Sequence, residues 1–82
     1  MKRSRDTIIM QILDICCKAT NKTRIVYKAN LNFRTVNPYL ELLTKNGLIN
    51  ANEDEPILYK TTPKGLSLLN SFKQIQSELS TA

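Results

Sequence analysis

The sequence predicts a mainly α-helical domain with one small β-hairpin (α+β), and three observations predict it. Apolar residues recur at helical spacing in four stretches, around residues 5–19, 24–29, 32–46 and 63–79. Two short β-prone runs, residues 48–51 and 57–60, flank a turn-rich segment. Only Asn30 and Leu31 separate the second helical stretch from the third. From residue 22 to residue 65 the order is helix, tight turn, helix, hairpin and the start of another helix, the layout of a winged helix-turn-helix. With 82 residues the chain holds one domain. Residues 1–65 form the winged unit and residues 66–82 a C-terminal helix continuous with it.

The first helix is expected over residues 5–19. Ile9, Ile12, Leu13 and Cys16 form one apolar stripe, which Ile8, Ile15 and Ala19 widen. Asp6 favours its start and Lys18 its end through the helix dipole. Residues 20–23 are a polar break, with Thr23 as N-cap of a short helix from Arg24 to Ala29. Ile25, Val26 and Ala29 face inward there. Asn30 can take the left-handed conformation that ends a helix, and Leu31 plugs the gap between two steeply crossed helices.

Asn32 can cap the third helix, whose inward stripe is Phe33, Val36, Leu40 and Leu43. Arg34, Thr35, Asn37, Glu41 and Lys45 face solvent, and Gly47 supplies the stop. Pro38 conflicts with a regular helix, because it cannot donate to the carbonyl of Arg34 and its ring clashes there. Either the helix is kinked or 3₁₀-broken from about residue 32, which the unbroken apolar spacing favours, or it begins anew with Asn37 as cap and Pro38 at its first position. The strands are expected at Leu48–Ala51 and Ile57–Lys60. Thr61 or Thr62 then caps the last helix, with Pro63 near its first position. In that helix Leu68, Phe72, Ile75 and Leu79 form an a/d seam, while Leu66 and Leu69 are expected to face the core.

Charge is one-sided. Residues 1–40 carry eight basic and two acidic side chains, and residues 41–82 carry four and five, so the net +5 of the chain sits with the helix-turn-helix. Such a field attracts a polyanion. The chain has no histidine and its two cysteines, Cys16 and Cys17, are adjacent, which removes the common zinc patterns and the usual general base. No glycine-rich phosphate loop or paired carboxylates stand in an evident cleft, so the reading is not an enzyme, with no cofactor and no metal. No apolar run is long enough for a membrane span and the N-terminus is not a signal peptide, which gives the expectation of a soluble, cytoplasmic protein. Cys16 and Cys17 read as a core thiol and a half-exposed neighbour, with an intersubunit disulfide or a redox switch as alternatives.

The string TRIVYKANLNFRTVNPYLELLTKNGLI, residues 23–49, followed by YKTTPKGLSLL, residues 59–69, resembles the archaeal winged helix-turn-helix proteins. The likeness is greatest to the small ten-kilodalton DNA-binding, chromatin-type group and its regulator-like relatives. It covers roughly residues 8–70, with ANLNF, YLELL, GLI and TTPKG in register. The resemblance implies double-stranded DNA as partner and a homodimer joined through the C-terminal helix.

On this layout Arg34 is the leading candidate for DNA contact, because a guanidinium at the head of the recognition helix can grip guanine O6 and N7, or simply a phosphate. Asn32, Thr35 and Asn37 can bond bases or phosphates, or serve helix-start capping. Arg24 and Lys28 are expected over a phosphate strand, and Lys2, Arg3 and Arg5 as a basic arm. Lys60 lies near the base of the wing. Leu68, Phe72, Ile75 and Leu79 are the dimerisation candidates. The wing tip, Glu53-Asp54-Glu55, argues the other way, since carboxylates are repelled by phosphates. A protein-interaction module and a chromatin-type binder without sequence preference therefore stand beside a transcriptional regulator. No residues mark a small-molecule effector site.

Overall fold

The structure is a computed structural model that describes residues 4–80. Its elements run α1 (Arg5–Ile15), α2 (Lys22–Ala29), α3 (Phe33–Lys45), β1 (Ile49–Ala51), β2 (Tyr59–Thr61) and α4 (Pro63–Ser80). This is the expected α+β winged helix-turn-helix. The core is drawn from nearly every element: Ile8, Ile12 and Leu13 from α1 with Cys16 at its end, Ile25 from α2, Val36, Leu40 and Leu43 from α3, Ile49 from β1 and Leu69 from α4. Burying such side chains contributes about 1.5–3 kcal/mol each, so these few residues dominate the stability of a thin core.

α1 stops at Ile15, four residues before the expected end, and tertiary bonds are the reason. The Thr61 hydroxyl donates to the Leu13 carbonyl (2.7 Å) and the Thr61 amide to the Cys16 carbonyl (2.8 Å). These bonds satisfy carbonyls that a further helical turn would have used. The chain then extends, and Thr20 pairs with Tyr59 through two backbone bonds of 3.0 and 2.7 Å. Lys18 and the exposed Ala19 thus lie outside α1. An isolated bridge at Thr20, followed directly by the helix cap Asn21, takes the place of the expected polar break. At the other end Ser4 caps α1, its hydroxyl accepting from the Thr7 amide.

α2 begins at Lys22 rather than Arg24 because Asn21, not Thr23, is the cap, its side chain accepting from the Arg24 amide (2.9 Å). Asn30 ends it in the left-handed conformation (φ 55°), with the Leu31 amide bonded back to Val26. Asn32 caps α3 as expected, accepting from the Thr35 amide at 2.8 Å. α3 is a single α-helix with Pro38 inside it, neither 3₁₀-broken nor started afresh at Asn37. Phe33 departs from the buried stripe and is 46% exposed. It is the first residue of α3, one turn before Val36, where the core begins. Gly47 closes the helix at φ 72°, with the Leu48 amide on the Leu43 carbonyl and its own on Thr44, the two bonds of a Schellman stop.

β1 and β2 pair antiparallel with Ile49 opposite Thr61 and Ala51 opposite Tyr59. Both strands are shorter than expected. The Leu48 amide is already committed to the helix stop, and beyond Ala51 the Asn52 side chain accepts from the Leu58 amide at 2.7 Å. Ile57 is left outside the ladder and exposed.

Thr62 ties α4 to the turn before β1. Its amide donates to Leu48, its hydroxyl donates to the Gly47 carbonyl (2.6 Å) and accepts from the Gly65 amide, and Pro63 takes the first helical position. Gly65 is buried against Leu48, the residue before β1, and Thr61 of β2, where an added Cβ would collide with the Leu48 carbonyl oxygen and stand 2.7 Å from Thr61 Cγ2. The inward face of α4 runs through Gly65, Leu68, Leu69 and Phe72. Leu66, expected to face the core, lies on the flank of that face and is 39% exposed.

Candidate nucleic-acid interface

The tight turn at residues 30–32 sets α3 against α2, and the buried stripe of α3 fixes which residues it presents outward. With Val36, Leu40 and Leu43 inward, 100° per residue puts Arg34, Pro38, Glu41 and Lys45 on the far side, with Asn37 beside them. All five are exposed. Arg34 to Lys45 spans about 16 Å along the helix at 1.5 Å per residue, long enough to lie across several base pairs.

On α2, Arg24, Tyr27 and Lys28 share the exposed face at i, i+3 and i+4. Tyr27 is 80% exposed, the most exposed of the large apolar side chains. Lys60, opposite Asn50 in the hairpin, is exposed as well. Among the described residues the side chains of Arg24, Lys28, Arg34 and Lys60 enter no ion pair and no hydrogen bond. Their charge is uncompensated locally, whereas Lys73 of α4 pairs with Asp14 at 3.2 Å.

The other candidates divide. Asn32 is exposed but its side-chain oxygen is committed to capping, so it positions the head of α3. Thr35 is half-buried and its amide receives that cap, while Asn37 is exposed at the rim of a groove. Lys2 and Arg3 lie outside the described residues, and Arg5 opens α1. The three acids of the wing tip are exposed, in a loop that Asn52 clamps through Leu58 and through the Pro56 carbonyl.

Sequence reasoning missed the groove. It runs between the start of α2, the outer side of α3 and the hairpin, and is lined by Lys22, Asn37, Glu41, Thr44, Lys45 and Tyr59 among others. Lys22 enters it because α2 starts two residues earlier than expected. The Asn21 cap was the signal that would have placed it. Such a face offers cations for phosphate oxygens and, along α3, a series of donors and acceptors for base edges.

Away from this face, α4 exposes Ile75 (53%) and Leu79 (72%), with Leu68 and Phe72 half-buried. Cys16 is fully buried, and burial followed by the neighbouring Cys17 pushes its thiol up to about 12. Cys17 is exposed, its thiol directed at the Leu13 carbonyl. No described helix is long and apolar enough to cross a membrane.

The model of the winged helix-turn-helix family matches residues 2–80. An uncharacterised protein of Methanocaldococcus jannaschii is 35% identical over 75 residues, 90% of this chain and 74% of the relative. A second uncharacterised protein of that organism is 34% identical over 76 residues, 92% of this chain but only 35% of that longer relative. The crystal structure of Sso10a-2, a DNA-binding protein from Sulfolobus solfataricus, superposes with a TM-score of 0.81 at 29% identity, over 96% of this chain and 87% of that one.

Proposed function

The chain belongs to the winged helix-turn-helix family, alongside archaeal members, and on that footing we propose that it is a double-stranded DNA-binding protein that acts as a homodimer, most simply a transcriptional regulator. α3 enters the major groove with Arg34 leading, supported by Thr35 and Asn37, while Arg24 and Lys28 of α2 rest on the phosphate strand. Lys60 adds a contact from the base of the wing. The observation that carries the reading is the face of unpaired cations shared by α2 and α3. The similarity to Sso10a-2, itself a DNA-binding protein, supports it.

The dimer rests on α4. A helix with Leu69 in the core and Ile75 and Leu79 in solvent has an apolar face that its own domain leaves uncovered. Paired with a second copy through Leu68, Phe72, Ile75 and Leu79, it would present two recognition helices to one duplex. The role is one of binding, in the cytoplasm and at the nucleoid, rather than catalysis.

A second reading is motivated by the wing, whose tip carries three exposed acids. A protein-interaction module would use that tip and bind DNA weakly. Electrophoretic mobility shift with a random-sequence duplex library, at low and moderate salt, separates the readings. A salt-sensitive shift with an enriched two-half-site motif is expected of the regulator, and a salt-sensitive shift without enrichment of a chromatin-type binder. Absence of any shift rejects DNA binding and leaves the interaction module.

A further inference from the structure

Glu41 stands on the outermost side of α3, seven residues after Arg34 and four before Lys45, so it shares their face. It is exposed and lines the groove with Lys22, Asn37 and Lys45. Among the described residues its carboxylate accepts no hydrogen bond and reaches no cation within ion-pair distance. The ordinary role for a helix-surface glutamate is an i,i+4 partnership with a following lysine, and with Lys45 no such pair forms. On a surface that merely gripped phosphates, a lone carboxylate at the centre would be a plain cost.

The chemistry of that group narrows what it can meet. An ionised carboxylate only accepts hydrogen bonds. In the major groove guanine offers two acceptors, thymine an acceptor and a methyl, and adenine an acceptor beside its donor. Cytosine alone offers just a donor, the N4 amino group. We propose that Glu41 is a specificity-determining residue of α3, which accepts a hydrogen bond from cytosine N4 in the major groove and repels the acceptor edges of the other bases at that position. Its charge also lowers affinity for duplexes that lack a cytosine there. Arg34 suits guanine within the same half-site, so the two residues read both kinds of edge of G·C pairs. This inference rests on the DNA-binding reading and deepens it.

The test is selection from a random duplex library with the full chain, its E41Q and E41A variants, and E53Q at the wing tip as a control that removes a carboxylate elsewhere. The wild type is expected to enrich a half-site containing a fixed cytosine. E41Q moves the preference at that position to adenine, which a glutamine amide bonds through N6 and N7. E41A relaxes that position alone, by roughly 5- to 150-fold in discrimination, and binds unrelated duplexes more tightly. E53Q leaves the motif intact. The proposal is overturned by a motif that E41A and E41Q leave unchanged, by equal relaxation in E53Q, or by salt-sensitive binding with no enrichment. That last result leaves DNA binding standing, whereas the absence of all binding removes both.

Discussion

Gly65 shows how closely the last helix is seated on the hairpin. A methyl group there would run into the Leu48 carbonyl and Thr61, and backbone cannot move aside as a flexible side chain does. Gly65→Ala is expected to cost about 1–3 kcal/mol, the range for overpacking, despite alanine's better helix propensity. For a domain this small, thermal denaturation should fall by about 4–8 °C per kcal/mol. The two cysteines divide as sharply. Cys16 is buried with its thiol held up to about 12, and Cys17 is exposed. A thiol reagent at mildly alkaline pH should modify one cysteine in the native protein and the second only on unfolding. Because the folded pKa of Cys16 lies above its ordinary value of 9.0, its neutral form is favoured by folding. The resulting stability is intact below pH 9 and is lost as pH rises toward 12, which chemical denaturation across that window would show. At this scale the sequence was legible where the chemistry is local. Asn30 and Asn32 bond groups three or four residues away or adopt a conformation of their own. Thr61 and Gly65 were not, since the partner of Thr61 lies 48 residues back on α1 and that of Gly65 is Leu48, in the turn before β1.

The helices were legible from apolar spacing, and their ends were not. α1 stops where β2 supplies donors to its carbonyls, a contact that no window of neighbouring residues contains. α3 shows the converse, for its spacing ran through Pro38 and the helix does too. The missing amide leaves the Arg34 carbonyl without its helical donor. Pro38→Ala restores that bond, offset by a more flexible unfolded chain, and should stabilise the fold by about 2 kcal/mol in denaturant titrations. The outer face of α3 follows from its inner one, so the apolar spacing alone puts Arg34, Asn37 and Glu41 on the solvent side. The groove beside it was hidden, because it forms only when α2 and the hairpin are brought against α3. Asn52 clamps the loop of the wing. Replacing it with alanine removes the acceptor for the Leu58 amide and should speed hydrogen exchange in residues 52–58 while leaving the helices protected.

For the whole molecule, the cations proposed to meet DNA and the apolar end of α4 lie on different elements. Unpaired cations occupy α2 and the head of α3, and uncovered apolar surface occupies the far end of α4. That separation allows a dimer to form without hiding the cationic face. The double variant Ile75→Asp with Leu79→Asp should leave the domain folded, since both side chains are exposed, and should shift sedimentation equilibrium from dimer to monomer. On the proposed dimeric reading DNA affinity should fall with it, because a monomer would engage a single half-site. The charge imbalance between the two halves was readable by counting, but which cations are left unpaired depends on the packing. The most direct measurement is the affinity for a short mixed-sequence duplex across a salt series, by fluorescence anisotropy, for the wild type and for the triple variant Arg24→Ala, Lys28→Ala and Arg34→Ala. The logarithm of affinity should fall linearly with that of salt by about 0.9 per phosphate contacted, and the triple variant should bind more weakly with a slope shallower by roughly 2, about one each for Arg24 and Lys28 on the phosphate strand. Affinity independent of salt, or the same slope in the variant, would contradict DNA binding by this face.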